Sequence, residues 1–323
     1  MQTPLLASDP SNIARAAAIL RGGGLVAFPT ETVYGLGANA LDADAVDGIF
    51  RAKGRPASNP VIVHVASVDD AKALTTDWND TAQKLADTFW PGPLTLVLPR
   101  ADIVPDIVTA GGATVALRIP AHPVALALLR ACGFPLAAPS ANRSTELSPT
   151  RAEHVARSLD GLIDLILDGG PTTVGLESTV LDVSVSPPRL LRPGLVSLAE
   201  LQACVGMVEI GPAETTTPAR SPGQMAKHYA PRTPLELVEG NAESRVAELR
   251  AAGERVAWLT FADAADAITM PNDPAAYAAA LYATLHTLDA ANYARIIVEA
   301  PPATDAWLAV RDRLRRAATM WAG

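Results

Sequence analysis

Thr30, Glu31, Thr32 and Tyr34 stand together in PTETVYGLG (Pro29–Gly37), directly after the apolar run LVAFP (Leu25–Pro29). Hydroxyls and a carboxylate on a loop at a strand's carboxyl end occupy the place where open α/β sheets bind ligands. Gly35 and Gly37 permit close backbone approach, although a plain strand-to-helix connection would use similar turn residues. Lys53 and Arg55 flank Gly54 in KGRPASNP (Lys53–Pro60), at the end of a helical pattern. The two cations can clamp an anion, with Arg55 offering a forked donor to phosphate oxygens. They can equally do no more than complement a helix dipole. Asn59 and Pro60 lead into VIVHV (Val61–Val65), where alternation sets His64 on the face opposite Val63 and Val65. A histidine there is either a satisfied core group or a ligand contact. PSANRS (Pro139–Ser144) follows the strand-like FPLAA and offers small polar groups suited to a sugar, a phosphate or a base edge. Arg118, in TVALRI (Thr114–Ile119), is expected at the sheet edge, where it can grip a carboxylate or simply face solvent. Ser178 and Thr179 open a strand in GLESTVLD (Gly175–Asp182), and Arg192 ends another in LLRPG (Leu190–Gly194).

Several familiar chemistries lack their sequence signatures. There is no GxxxxGK[ST], and Gly22–Gly24 precede the first of these strands instead of following it. The five histidines form no HExxH, and no serine sits in GxSxG. Neither a covalent nucleophile nor a protein-held metal is expected. Chemistry here would rest on positioning and charge stabilisation.

The elements that must position these groups alternate along the first two hundred residues. Strands are predicted at Leu25–Pro29, Val61–Val65, Leu94–Leu98, Thr114–Ile119, Leu162–Leu167 and Thr179–Val183, and helices at Ile13–Leu20, Asp44–Lys53, Ala82–Phe89 and Pro123–Arg130. Ser11 is the expected cap of the first helix and Gly22–Gly24 its stop. The pattern is α/β with a mixed or twisted sheet. Gly211–Pro234 is proline-rich and reads as a linker or a functional lid. A second α/β run follows, with strands at Leu235–Val238, Arg255–Thr260 and Arg295–Val298 and helices at Ala242–Ala251, Pro274–Ala290 and Thr304–Ala318. The expected division is therefore 1–207, a linker 208–234, and a small domain 235–323.

Composition bounds the partners. The 323 residues suit about two domains, and 49% hydrophobic against 19% charged residues describes a globular chain. Lys plus Arg number 26 against 34 Asp plus Glu, so net charge −8 makes stable nucleic-acid binding unexpected. A locally positive pocket for small anions remains compatible with it. Cys132 and Cys204 cannot build a disulfide framework and read as buried packing residues. The start carries no signal-peptide pattern and no apolar run has membrane-spanning length, which points to a soluble cytoplasmic protein.

Taken in order, PTETVYGLG, KGRPASNP with the following HV, TVALRIP, PSANRS, ESTVLD and LRPG resemble the YrdC-like family of threonylcarbamoyl-AMP synthases. SPGQMAKHYAPRTPL and the tail DRLRRAA are similar to the long, two-domain form of that family, so the resemblance covers nearly the whole chain. No single motif is specific, but the ordered set is. It implies a YrdC-like twisted mixed-sheet domain followed by a smaller Rossmann-like α/β domain. The implied reaction joins L-threonine, bicarbonate and ATP into L-threonylcarbamoyl-AMP and pyrophosphate. That adenylate would supply a downstream threonylcarbamoyl transferase acting on tRNA beside the anticodon. Carried over residue by residue, the resemblance implies that Thr32, His64, Arg118, Ala138 (through its backbone) and Ser178 hold threonine. Arg55, Asn59, Thr114, Ser140, Ser148, Arg192 and His228 would hold ATP, with Lys53 and Arg55 as the catalytic cations. Magnesium would accompany ATP, and no organic cofactor is implied. Tyr34 is a lesser candidate, and Tyr229 belongs with His228 to a lid, Ser221–Pro231, that closes over the nucleotide or is simply a spacer. Some relatives carry an aromatic where this linker has Ala226, which removes one stacking contact. Two rival readings stay open at this level. One is a non-catalytic RNA- or nucleotide-binding module of the same fold; the other is carbamoyl-adenylate chemistry on another carbamoyl source. Pyrophosphate release, and its dependence on threonine, would separate them.

Overall fold

The computed structural model describes residues 2–211 and 229–318. Among these, one compact unit comprises residues 2–144 and 148–211 and a second 145–147 and 229–318.

The first unit is built on β1 (Leu5–Ala7), β2 (Val26–Phe28), β3 (Gly35–Asn39), β4 (Ile62–His64), β5 (Leu94–Pro99), β6 (Thr114–Arg118), β7 (Leu136–Ala137), β8 (Leu165–Asp168), β9 (Thr179–Asp182), β10 (Arg189–Arg192) and β11 (Glu209–Ile210). They form one mixed sheet in the order β1-β8-β2-β3-β7-β4-β6-β5-β9-β10-β11. The central strands are short Val/Leu/Ile runs buried on both faces, hence their nearly unbroken hydrophobicity. Strand direction then decides where the site lies. β4 runs parallel to β6, β5 antiparallel to β6 and parallel to β9. The carboxyl ends of β4 and β6 and the amino ends of β5 and β9 therefore meet at one end of the sheet. Alternation puts Ile62 and His64, Thr95 and Val97, Thr114, Ala116 and Arg118, and Val180 on one face. Ile62, Val97, Ala116 and Val180 pack as a single apolar cluster there, with Leu191 against it.

Two helices bring the remaining groups. Helix α1 (Pro10–Arg21) is capped by Asp9, whose carboxylate accepts the N–H groups of Ser11 and Asn12. The expected cap, Ser11, is instead inside the first turn; a carboxylate one residue before Pro10 outcompetes it, because Pro10 takes the first helical position naturally. Helix α2 (Ala43–Lys53), capped by Asp42, stops at Gly54, which has the left-handed φ of 59° that favours glycine. That turn separates Lys53 from Arg55, whose side chains turn inward onto loop carbonyls. Gly35–Asn39 belongs to a strand, not to the loop expected from PTETVYGLG, and its glycines serve packing. A Cβ at Gly37 would lie 2.8 Å from Cε1 of Phe28.

In the second unit β12 (Leu235–Val238), β13 (Val256–Thr260), β14 (Ile268–Thr269) and β15 (Arg295–Glu299) form a parallel sheet in the order β12-β15-β13-β14. α3 (Ala242–Ala251), α4 (Pro274–Asp289) and α5 (Leu308–Ala317) accompany them. The expected helix Thr304–Ala318 starts as a 3₁₀ turn at Asp305–Trp307. Of the cysteines, Cys132 is buried and its thiol pushed up to about 11 by desolvation, whereas Cys204 is only partly covered. Among the described residues no helix is long and apolar enough to cross a membrane.

Candidate active site

At the sheet end, His64 of β4 is the register partner of Arg118 of β6. Arg118 is not at a sheet edge as expected: β6 lies between β4 and β5, and its guanidinium is buried. Its Nε donates to Gly92 O (3.1 Å), Nη1 to Thr32 Oγ1 (3.0 Å) and Nη2 to Glu31 Oε1 (2.7 Å). The hydroxyl of Thr30 donates to Val33 O, so Thr32 is the donor in the 2.8 Å contact between the two threonine hydroxyls. Thr32 Oγ1 keeps a lone pair beyond the one Arg118 uses. The loop carrying these groups is fixed by Val174 N–H donating to Glu31 O and Gly175 N–H to Thr32 O. Burial, and then the Arg118 charge, lower the His64 pKa to about 3. The imidazole is neutral at physiological pH, and its buried Nδ1 has no hydrogen-bond partner.

Across β5, Ser178 precedes β9, and its hydroxyl lies 2.7 Å from Thr95 Oγ1. Arg192, ending β10, donates through Nε to Ser178 O (3.0 Å) and through Nη2 to Ser178 Oγ (3.1 Å). One residue earlier, the Glu177 carboxylate accepts from the Ser148 hydroxyl.

A second group lines the loops beside β4. Lys53 Nζ donates to Ser140 O (2.6 Å) and to Asn142 O, bracing the PSANRS loop. Arg55 donates to Asn59 O (3.3 Å) and Pro60 O (2.8 Å). Ala138 N–H donates to Ile62 O (2.9 Å), and Ser140 bridges to Gly35. Thr114 shares the face of Arg118 at the other end of β6, about 13 Å away at ~3.3 Å per residue. Lys53, Arg55, Arg118 and Arg192 are only 2%, 7%, 3% and 4% exposed, so none is a solvated surface cation. By contrast Arg51, in the last turn of α2, pairs in solvent with Asp47 (3.3 Å).

The structure thus links Thr32 to Arg118, His64 to Arg118, Arg192 to Ser178 and Lys53 to Ser140. Tyr34 is buried under this assembly, its hydroxyl donating to Gly170 O (2.7 Å) and accepting from Gly169 N–H (3.3 Å). Desolvation raises its pKa. Tyr229 belongs to the second unit, buried against Tyr282 (ring centroids 6.1 Å apart) and beneath the Arg313 guanidinium (5.2 Å). His228 and Ser221–Lys227 lie outside the described residues. Sequence reasoning gave no role to Thr95 or Glu177 and left Glu31 unpartnered. A lone hydroxyl inside LTLVL, and a carboxylate just before Ser178, were the available signals. Among the described residues no three His, Cys, Asp or Glu side chains are grouped to hold a metal.

The Sua5/YciO/YrdC model, described as "Telomere recombination", matches residues 18–194. A second model, "Threonylcarbamoyl-AMP synthase, C-terminal domain", matches residues 196–319. The chain belongs to the Sua5/YciO/YrdC family, in its two-domain form. It is 45% identical to the threonylcarbamoyl-AMP synthase of Bacillus subtilis, covering 98% of this chain and 95% of that one. It is 44% identical to the Pyrococcus abyssi protein of the same name, covering 94% and 92%. The crystal structure of P. abyssi Sua5 complexed with L-threonine superposes with a TM-score of 0.91 at 41% identity, covering 98% of this chain and 97% of that one. Escherichia coli YciO matches 60% of this chain at 26% identity and TM-score 0.54.

Proposed function

We propose that this protein is an L-threonylcarbamoyl-AMP synthase, joining L-threonine, bicarbonate and ATP and releasing pyrophosphate. The observation that carries this reading is the buried row at the strand ends, where a neutral imidazole, two arginines and paired hydroxyls converge. Arg118 has one N–H left on each terminal nitrogen beyond its bonds to Gly92, Thr32 and Glu31, enough to receive the threonine carboxylate. Thr32, His64, Ser178 and the Ala138 backbone complete the amino-acid site. An imidazole that protonates only near pH 3 is too weak a base for an ammonium, so His64 serves as a hydrogen-bond partner.

The nucleotide lies beside the loops that carry Arg55, Asn59 and Ser140, toward Thr114. Arg55, Asn59, Ser140, Ser148 and Arg192 hold it, with Lys53 fixing the loop that carries Ser140. Magnesium enters as part of MgATP, where it neutralises phosphate oxygens. The neutral threonine amine adds to carbon dioxide derived from bicarbonate, losing a proton to give a carbamate. A carbamate oxygen then attacks the α-phosphorus, and the bond to pyrophosphate breaks. Three anionic groups gather in this step, which is the work of the buried cations. Residues 1–207 are the catalytic domain, 208–234 the linker and 235–323 the small domain. The product passes in the cytoplasm to a threonylcarbamoyl transferase.

The test is pyrophosphate release with the three substrates together and with each omitted, alongside mass detection of the adenylate. Release that requires threonine and bicarbonate is expected. ATP turnover indifferent to threonine would overturn the reading.

A further inference from the structure

The proposed site leaves Glu31 with no substrate to touch, yet its carboxylate is among the most constrained groups in the unit. Oε1 accepts from Arg118 Nη2 at 2.7 Å, Oε2 accepts from Ala121 N–H at 3.0 Å, and both partners of the ion pair are buried. The two contacts pull in different directions. One reaches the carboxyl end of β6, the other the backbone three residues further on. Glu31 thereby pins the guanidinium against the turn that leaves β6.

Arg118 is held from three sides, by Gly92 O, Thr32 Oγ1 and Glu31 Oε1. The first two bonds go to neutral acceptors. The charged contact with Glu31 is the strong one and fixes the plane of the fork. It also matters that Glu31 and Thr32 are adjacent: one loop sets both the guanidinium plane and the hydroxyl that faces it. A buried guanidinium with no counter-charge would additionally draw any small anion, including bicarbonate or phosphate.

We infer that Glu31 is a positioning residue for threonine: through Arg118 it fixes the direction in which the remaining guanidinium N–H groups meet the substrate carboxylate. The inference rests on the proposed amino-acid role of Arg118. Glu31→Gln keeps the size, but its amide N–H meets the Ala121 N–H donor to donor, so one of the two anchors is lost along with the charge. Glu31→Asp keeps the charge and shortens the reach.

The experiment compares Glu31→Gln, Glu31→Asp, Arg118→Lys and the double variant Glu31→Gln/Arg118→Lys, measuring KM for threonine and for ATP and the thermal midpoint. Glu31→Gln should raise the threonine KM by roughly tenfold or more while the ATP KM stays within about twofold, and the double variant should be no worse than Arg118→Lys alone, because both act through one group. A folded Glu31→Gln with an unchanged threonine KM overturns the inference. So does an equal rise in both KM values, or a double variant in which the effects multiply. Should Glu31→Gln fail to fold, Glu31→Asp is judged by the same criteria. If instead Arg118→Lys leaves the threonine KM unchanged, the assignment of Arg118 itself is wrong, whatever Glu31 does.

Discussion

His64 should make the first unit acid-sensitive, and the size of the effect follows from its burial. The imidazole is buried beside the Arg118 charge, and its pKa falls from 6.5 to about 3. In the unfolded chain it takes up a proton near pH 6.5; in the folded chain it refuses one until about pH 3. Because the folded value is depressed, the stability is fully present above pH 6.5 and drains away as pH falls toward 3. Lowering the pH from 7.5 to 5.5 should therefore cost on the order of 1 kcal/mol through this group alone. Other groups titrate as well, including His122, whose pKa burial also lowers. The informative quantity is therefore a double difference: urea unfolding of the parent and of His64→Gln at both pH values. The parent should lose on the order of 1 kcal/mol more than the variant on acidification. Equal losses would show that His64 is protonated or solvated in the folded state, and would refute its assignment as a neutral hydrogen-bond partner.

Gly37→Ala should destabilise the first unit by about 1–3 kcal/mol, since its Cβ would sit 2.8 Å from the Phe28 ring. Thermal unfolding should show Phe28→Leu partly restoring it, and no restoration would mean the strain lies elsewhere. Lys53→Met strands the carbonyls of Ser140 and Asn142, so a loss of about 2–5 kcal/mol is expected, with a raised ATP KM and a nearly unchanged threonine KM. Unchanged stability with abolished kcat would instead make Lys53 a group that touches phosphate directly.

Much of this architecture was legible because period and punctuation agree. α2 carries Asp42 before it and Gly54 after it, and the second unit's strands are compact apolar runs between helical stretches. What escaped was decided by distant packing. GLGAN has poor strand propensity, yet Gly35–Asn39 pairs with β2 because Phe28 needs the space its glycines leave. β14 has only two residues, too few to show a pattern. Arg118 looked like an edge residue because nothing in TVALRI records that β4 and β5 flank it. The candidate site divides in the same way. Its motifs are local, but the pairings that orient them are not: Glu31 reaches Arg118 across 87 positions and Ser178 reaches Thr95 across 83. Lys53 and Arg55 showed as cations at a helix end, while their inward direction became visible only with the carbonyls they meet.

L-threonine and ATP should lie side by side on the sheet face that carries His64 and Arg118. A crystal structure with L-threonine and a non-hydrolysable ATP analogue bound together is the decisive measurement. The threonine carboxylate should lie within hydrogen-bond distance of Arg118, with the α-phosphate facing the threonine nitrogen. A nucleotide bound away from this face, or threonine out of reach of Arg118, would contradict it.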